Sequence, residues 1–390
     1  MIESTVSLAR TKPLLQPWLS STRWDCLFIL SPAFLASFVA LALRPWLENA
    51  PNLPLWAFVC FVLCVDVAHV YATLFRTYLE PEAFRKNRAL LLAIPAACWG
   101  IGCLLYSLDG QIFWRVLAYL AVFHFIRQQY GFMALYSRKD PPAFQKFKWL
   151  DNLAVYTATL YPLLFWHTHL PRNFNWFIEG DFVEAVPLVL ARVALGIYVA
   201  VSTLYVAKEV VVGKWTGFVN IPKNLILVGT ALSWWVGIVA LNSDIAFTMT
   251  NVLTHGIPYM ALIWLYHHKP IGNATGGTSK AMLEAGNATA AAGLGTRLFS
   301  VTAASRLALS CVPAFLAFIV LLAYLEEGLW DGFIWREHLS FFVPFAHLPA
   351  ISDSAVLAVL VPLLALPQST HYVLDGFIWR VKDRSSIWST

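Results

Sequence analysis

The sequence predicts an all-α fold, a polytopic transmembrane helical bundle of about ten spanning helices with both termini cytoplasmic. Three observations predict it. Of the 390 residues, 59% are hydrophobic and 13% charged, where soluble domains carry about a quarter charged residues. Mean hydropathy is +0.63 and comes from long apolar runs. Lys and Arg gather in every second loop between those runs, the asymmetry that marks cytoplasmic loops.

Taken in order, the runs place spans at about 26–43, 54–75, 89–107 and 112–136, each bounded by Pro, Arg or a short polar turn. Further spans fall at about 152–170, 184–207, 223–241, 245–267, 306–325 and 354–379. Arg76, Arg85, Lys86 and Arg88 follow the second span, and Arg138, Lys139, Lys146 and Lys148 follow the fourth. Lys208, Lys214 and Lys223 follow the sixth, Lys269, Lys280, Arg297 and Arg306 the eighth, and Arg380, Lys382 and Arg384 lie in the tail. The intervening loops are poor in cations or acidic, as at Glu179, Asp181 and Glu184, or Glu326, Glu327 and Asp331.

Residues 1–390 read as one membrane domain. No apolar core precedes Cys26, so no cleavable signal peptide is expected, and the chain reads as a multi-pass integral membrane protein, of the inner or plasma membrane if bacterial. Residues 270–305, rich in Gly, Ala and Thr, form a flexible cytoplasmic loop, a linker or a lid. Residues 328–350 are interrupted by Arg336, Glu337 and His338 and read as an interfacial segment on the non-cytoplasmic side. Asp331-Gly-Phe-Ile-Trp-Arg336 is echoed by Asp375-Gly-Phe-Ile-Trp-Arg380 on the opposite side, and both read as Trp/Arg anchors at the interface. Six cysteines lie in or beside apolar runs with no C-x-x-C pair, which fits small buried side chains better than disulfides or zinc ligands.

Four spans carry polar residues that hydrocarbon does not accommodate without partners. Asp66 and His69 lie three apart in the second, and His124, Arg127 and Gln128 share a face of the fourth. Asn251 and His255 lie four apart in the eighth, which ends on His267 and His268, and Gln368, His371 and Asp375 share a face of the last. All four spans run inward in the expected topology, so a rise of about 1.5 Å per residue puts these groups in the cytoplasmic half or near the midplane. The odd-numbered spans offer no comparable residues.

Imidazole with carboxylate suits iron, zinc or copper, and spacings of three or four residues let one helix present two ligands. The expected ligands are Asp66, His69, His124, His255, His267, His268, His371 and Asp375, enough for two metals. Arg127, Gln128 and Asn251 are expected to orient ligands, neutralise charge or meet substrate. The competing reading is interhelical hydrogen bonding that only holds the bundle together, but such a role does not need so many ionisable groups at one level. His267 and His268 equally fit a helix C-terminus beside headgroups.

The histidine-rich set resembles the integral-membrane metal enzymes of the desaturase and hydroxylase class and the bacterial carotenoid-cleaving membrane oxygenases, with His267-His268 similar to the paired histidines of desaturase boxes. The resemblance implies iron, as a possible di-iron pair, and oxidation of a lipid or isoprenoid by hydroxylation, desaturation or cleavage. It also implies a lipophilic small-molecule substrate, surrounding membrane lipids and an electron donor as partners. Zinc and haem are the alternative cofactors. Two other classes remain open, a proton-coupled transporter using the same His and Asp residues and a haem-binding redox protein. The net charge of +5 forms no basic cluster, so nucleic acid is not an expected partner. With no Gly-rich phosphate loop, nucleophile elbow or C-x-x-C-H, ATP-driven transport, serine hydrolysis and c-type haem attachment have no support.

Overall fold

The computed structural model describes residues 15–50, 53–184, 186–268 and 305–378. The 270–305 loop, apart from its last residue, and Arg380 with the rest of the tail lie outside the described residues. The described chain is helical, with no strand. Its main helices are α1 (Thr22–Ala42), α2 (Leu55–Arg76), α3 (Pro81–Leu108), α4 (Gly110–Tyr136) and α5 (Lys148–Thr168). They continue with α6 (Leu188–Thr216), α7 (Ile221–Ala240), α8 (Asp244–His268), α9 (Val312–Trp335), α10 (Ser354–Leu364) and α11 (Leu366–Ile378).

Six helices, α1, α2, α3, α6, α7 and α9, are long and apolar enough to cross a membrane, and α10 with α11 makes a seventh if that pair, bent by 44°, is one span. This is consistent with a membrane protein. The surface agrees: Leu92, Ile101, Leu104 and Leu108 of α3 and Val189, Val193, Ile197 and Val199 of α6 are exposed. Apolar surface on that scale needs an apolar surrounding or a partner.

The polar spans are inside. On α8, residues from Ile245 to Leu265 are nearly all buried, and α8 packs against α1, α2 and α7. Helix α4 buries Ala118, Ala121, Val122 and Phe125 among α5, α7 and α11. Gly256 lets α8 and α2 approach: a Cβ there would lie 2.6 Å from Val65 Cγ1 and 3.1 Å from the Val65 carbonyl oxygen. That contact sits beside His255 on one helix and four residues before His69 on the other.

Helix α9 starts at Val312 and runs through 328–335, so the first part of the expected interfacial segment is helix. The residues that break the apolar pattern organise the turn that follows. Asp331 Oδ1 accepts from the Glu337 and His338 amides, and Arg336, at φ 58, donates to the Gly332 and Leu348 carbonyls. Trp379 and Arg380 of the second copy lie outside the described residues, and the two described aspartates of the echo differ. Asp331 holds a turn, while Asp375 reaches a histidine in the interior. The last span is also broken, between Leu364 and Leu366.

Candidate metal centre

His69, His124, His255 and His371, from α2, α4, α8 and α11, meet in the interior, each 2% exposed or less. One ring nitrogen from each lies within 4.8 Å of all the others. The Nε2 atoms stand 3.0 Å apart for His255 and His69, 3.1 Å for His124 and His255, and 3.1 Å for His371 and His124. A wider, π-helical stretch of α2 over Phe58–Val67 ends just before His69 and sets the phase that turns its ring inward.

Hydrogen bonding among the rings does not account for this geometry. A ring nitrogen has one in-plane lone pair or one N–H, yet His124 Nε2 and His255 Nε2 each face two other nitrogens. A cation shared by the lone pairs resolves the conflict. Metal–imidazole bonds of about 2.0–2.1 Å separate neighbouring ligand nitrogens by roughly 2.9 Å at right angles and roughly 3.4 Å at the tetrahedral angle. The three short spacings fall between these, and the remaining pairs lie within 4.8 Å. The four histidines fit a metal ion.

With Nε2 turned inward, Nδ1 carries the ring proton. His371 Nδ1 donates to Thr73 Oγ1 at 2.5 Å, and that oxygen is 2.9 Å from the Tyr259 hydroxyl. His69 Nδ1 donates to the Val65 carbonyl at 3.2 Å, and His124 Nδ1 faces Asp375 Oδ2 at 3.4 Å. Such outer partners fix the ring and raise its basicity towards a metal. His255 is held differently, by Phe125 stacked on its ring at 3.7 Å. Its Nδ1 is buried with no hydrogen-bond partner among the described residues.

The expected ligand set is thus only half assembled. Asp375 lies in the outer layer, turned to His124. Asp66 comes no nearer than 3.9 Å to His69 Nδ1 and is 37% exposed at its side chain, too far to hydrogen-bond. His267 Nε2 donates to the Phe75 carbonyl, and His268 contacts the Trp264 and Leu309 carbonyls, at the far end of α8. Without these four, the described residues hold one metal-binding group and no second. The described residues thus gather ligands for one ion. A haem held by two of these histidines would need the space that the other two rings fill.

Gln128 Nε2 donates to the His255 carbonyl, and Asn251 Nδ2 to the Phe247 carbonyl, each leaving its amide oxygen buried and unpartnered among the described residues. Arg127 is turned away from the cluster, donating to the Tyr156 hydroxyl at 2.7 Å with its guanidinium 4.6 Å over the Tyr130 ring. Gln129, one position on, accepts from Thr230 of α7, so neighbouring residues of α4 serve different helices, as the helical phase predicts. Phe125, Tyr259 and Tyr372 also touch the centre; as apolar or aromatic residues in an apolar run they carry no distinguishing signal in the sequence.

Two cavities flank the centre. One, ≈ 570 Å³, is lined by His124, Gln128, Asp375 and aromatic side chains including Phe123, Tyr130 and Tyr372. The other, ≈ 940 Å³, is lined by Asp66, Phe125 and Asn251. No family model, curated protein or solved structure matches the chain. The likeness to membrane desaturases and carotenoid-cleaving oxygenases therefore rests on ligand type alone.

Away from the histidines lies a second buried polar group that the sequence reading overlooks. Lys223, 0% exposed, meets Asp140 at 3.1 Å, Glu209 at 2.9 Å and Asp151 at 3.7 Å. Lys208 pairs with Asp151 and, at 2.6 Å, with Glu209. Lys208 and Lys223 count as loop cations in the sequence reading, yet both are buried ion-pair partners. Asp151 on α5 and Lys223 on α7 also show that odd-numbered spans do carry interior charge.

Proposed function

We propose that the chain is an integral-membrane, iron-dependent oxidoreductase acting on a lipophilic small molecule, with ten spans and both termini cytoplasmic. The observation that carries the reading is the convergence of four buried imidazoles at the edge of an aromatic-walled cavity. His69, His124, His255 and His371 would hold the ion. Four neutral nitrogen donors suit iron, copper or zinc, and the aromatic and aliphatic part of the cavity wall suits a substrate rich in C–H and C=C bonds, which a redox metal can oxidise with dioxygen. Bound iron would supply oxygen activation.

The chain's residues supply the rest. Thr73, Asp375 and the Val65 carbonyl hold the Nδ1 protons and keep each Nε2 lone pair inward. Gln128 ties α4 to the backbone of α8 at His255, so that two ligand helices keep their register. Phe123, Tyr130 and Tyr372 exclude water beside His124. Hydroxylation or desaturation consumes two electrons and two protons per dioxygen beyond those taken from substrate, which an electron-donor partner must provide; cleavage of a double bond by dioxygen needs none.

The test is lipid analysis of cells producing the protein. The wild type is expected to generate a lipid that has gained oxygen or lost two hydrogens, absent with His124→Ala or His371→Ala. An unchanged lipid profile in the presence of bound iron overturns the reading. The second cavity, on the other side of the histidines, favours one alternative: a carrier that passes a cation or proton through the centre. Uptake into proteoliposomes that disappears in Asp66→Asn supports that alternative.

A further inference from the structure

We propose that the 570 Å³ cavity takes an amphiphile with an anionic head, a carboxylate or a phosphate, whose apolar chain lies against the aromatic wall beside His124. This deepens the reading above and rests on it for the chemistry of the chain, but not for recognition of the head.

The charge of the lining carries the argument. Arg76, Arg127, Arg138 and Lys148 line the cavity, against a single carboxylate, Asp375, which faces His124. The cations come from the end of α2, the middle and end of α4, and the start of α5, so they surround the space from several sides. Across the centre the other cavity is lined by Asp66, Glu179, Asp244, Glu327, Asp331 and Glu337 with no Lys or Arg. An anionic head is attracted to one cavity and repelled by the other.

Cytoplasmic loop charge accounts for Arg138 and Lys148 at the rim. It does not account for Arg127, one helical turn from His124 inside an apolar run. Arg127 uses one of its five donors on Tyr156 and is steadied over Tyr130. Arg76 is held 3.6 Å over Tyr266, donates to the Ile378 carbonyl and stands 3.9 Å from Glu80, so Arg127 carries more of the attraction. Guanidinium groups held in this way are pre-organised for carboxylate or phosphate oxygens. The cavity volume falls in the range of small-molecule sites, about 300–1,000 Å³.

The experiment uses the full chain in phosphatidylcholine nanodiscs and labelled dodecanoate, dodecyl phosphate and dodecanol, with empty nanodiscs subtracting lipid-dissolved probe. The proposal expects at least one anionic probe to bind about tenfold or more tighter than dodecanol, and Arg127→Gln to remove about that factor for the anion while leaving dodecanol unchanged. The tighter of the two anions identifies the head as carboxylate or phosphate. Dodecanol binding as well as both anions, or Arg127→Gln keeping the full preference, overturns the proposal. Should Arg127→Gln fail to fold, Lys148→Gln at the rim is read in the same way, and the wild-type comparison decides alone. Binding is read without turnover. A protein that prefers anions but holds no iron removes the proposed reaction and leaves this site, whereas an active, iron-loaded protein with no preference removes this site only.

Discussion

The histidine centre and the Lys208–Lys223 cluster are both buried in this bundle, and they solve the problem of burial in opposite ways. Around Lys208 and Lys223, ammonium groups alternate with the carboxylates of Asp140, Asp151 and Glu209, and Asn220 and Asn224 add hydrogen bonds to Asp140 and Glu209. Each charge there has an opposite charge beside it. At the centre, four imidazoles turn lone pairs towards one another, and hydrogen bonding cannot satisfy them all. The first arrangement is complete with the chain's own atoms. The second could hold a cation between its lone pairs, and that contrast marks it as the candidate site.

The contrast can be broken by substitution. Lys223→Met removes the ammonium shared by three carboxylates, and losing one partner of a buried ion pair costs about 3–5 kcal/mol. We expect a marked fall in unfolding temperature or denaturant midpoint, with metal content per folded chain unchanged. A variant as stable as the wild type would show that the ion cluster does not hold α5, α6 and α7 together.

Asp375→Asn sharpens the other side. It weakens the partner of His124 Nδ1 and should lower metal affinity roughly 10- to 100-fold, measured by chelator competition, while changing stability far less than Lys223→Met. Equal affinity would place Asp375 outside the machinery of the centre. The smallest effect is expected from His267→Gln with His268→Gln, which should leave metal content as it is, because both rings contact backbone carbonyls at the end of α8. Loss of metal in that double variant would return them to the ligand set.

The histidines of the centre were legible in the sequence because each lies within an apolar span on a face with other polar residues, His69 and His124 with apolar neighbours on both sides. Their roles were less so. Asp66 and Asp375 share faces with His69 and His371, but a face does not say whether a side chain reaches the centre or stops one layer out, and Asp375 pairs with His124 of another helix. The ion cluster was hidden for a related reason. Lys208 and Lys223 lie near the ends of apolar runs, where a solvated lysine and a buried one look alike until the helices that supply Asp140 and Asp151 are packed beside them. The continuation of α9 through Trp335 was obscured by Asp331 and Arg336, whose polarity serves the turn that follows.

The central claim is that four histidines bind one metal ion, and the direct test is metal analysis of the purified protein loaded anaerobically with ferrous iron, together with X-ray absorption at the iron edge. The account predicts one iron per chain in a shell of imidazole nitrogens, lost in His124→Ala and His371→Ala. A wild-type protein that retains no metal, or variants that retain as much as the wild type, would contradict it.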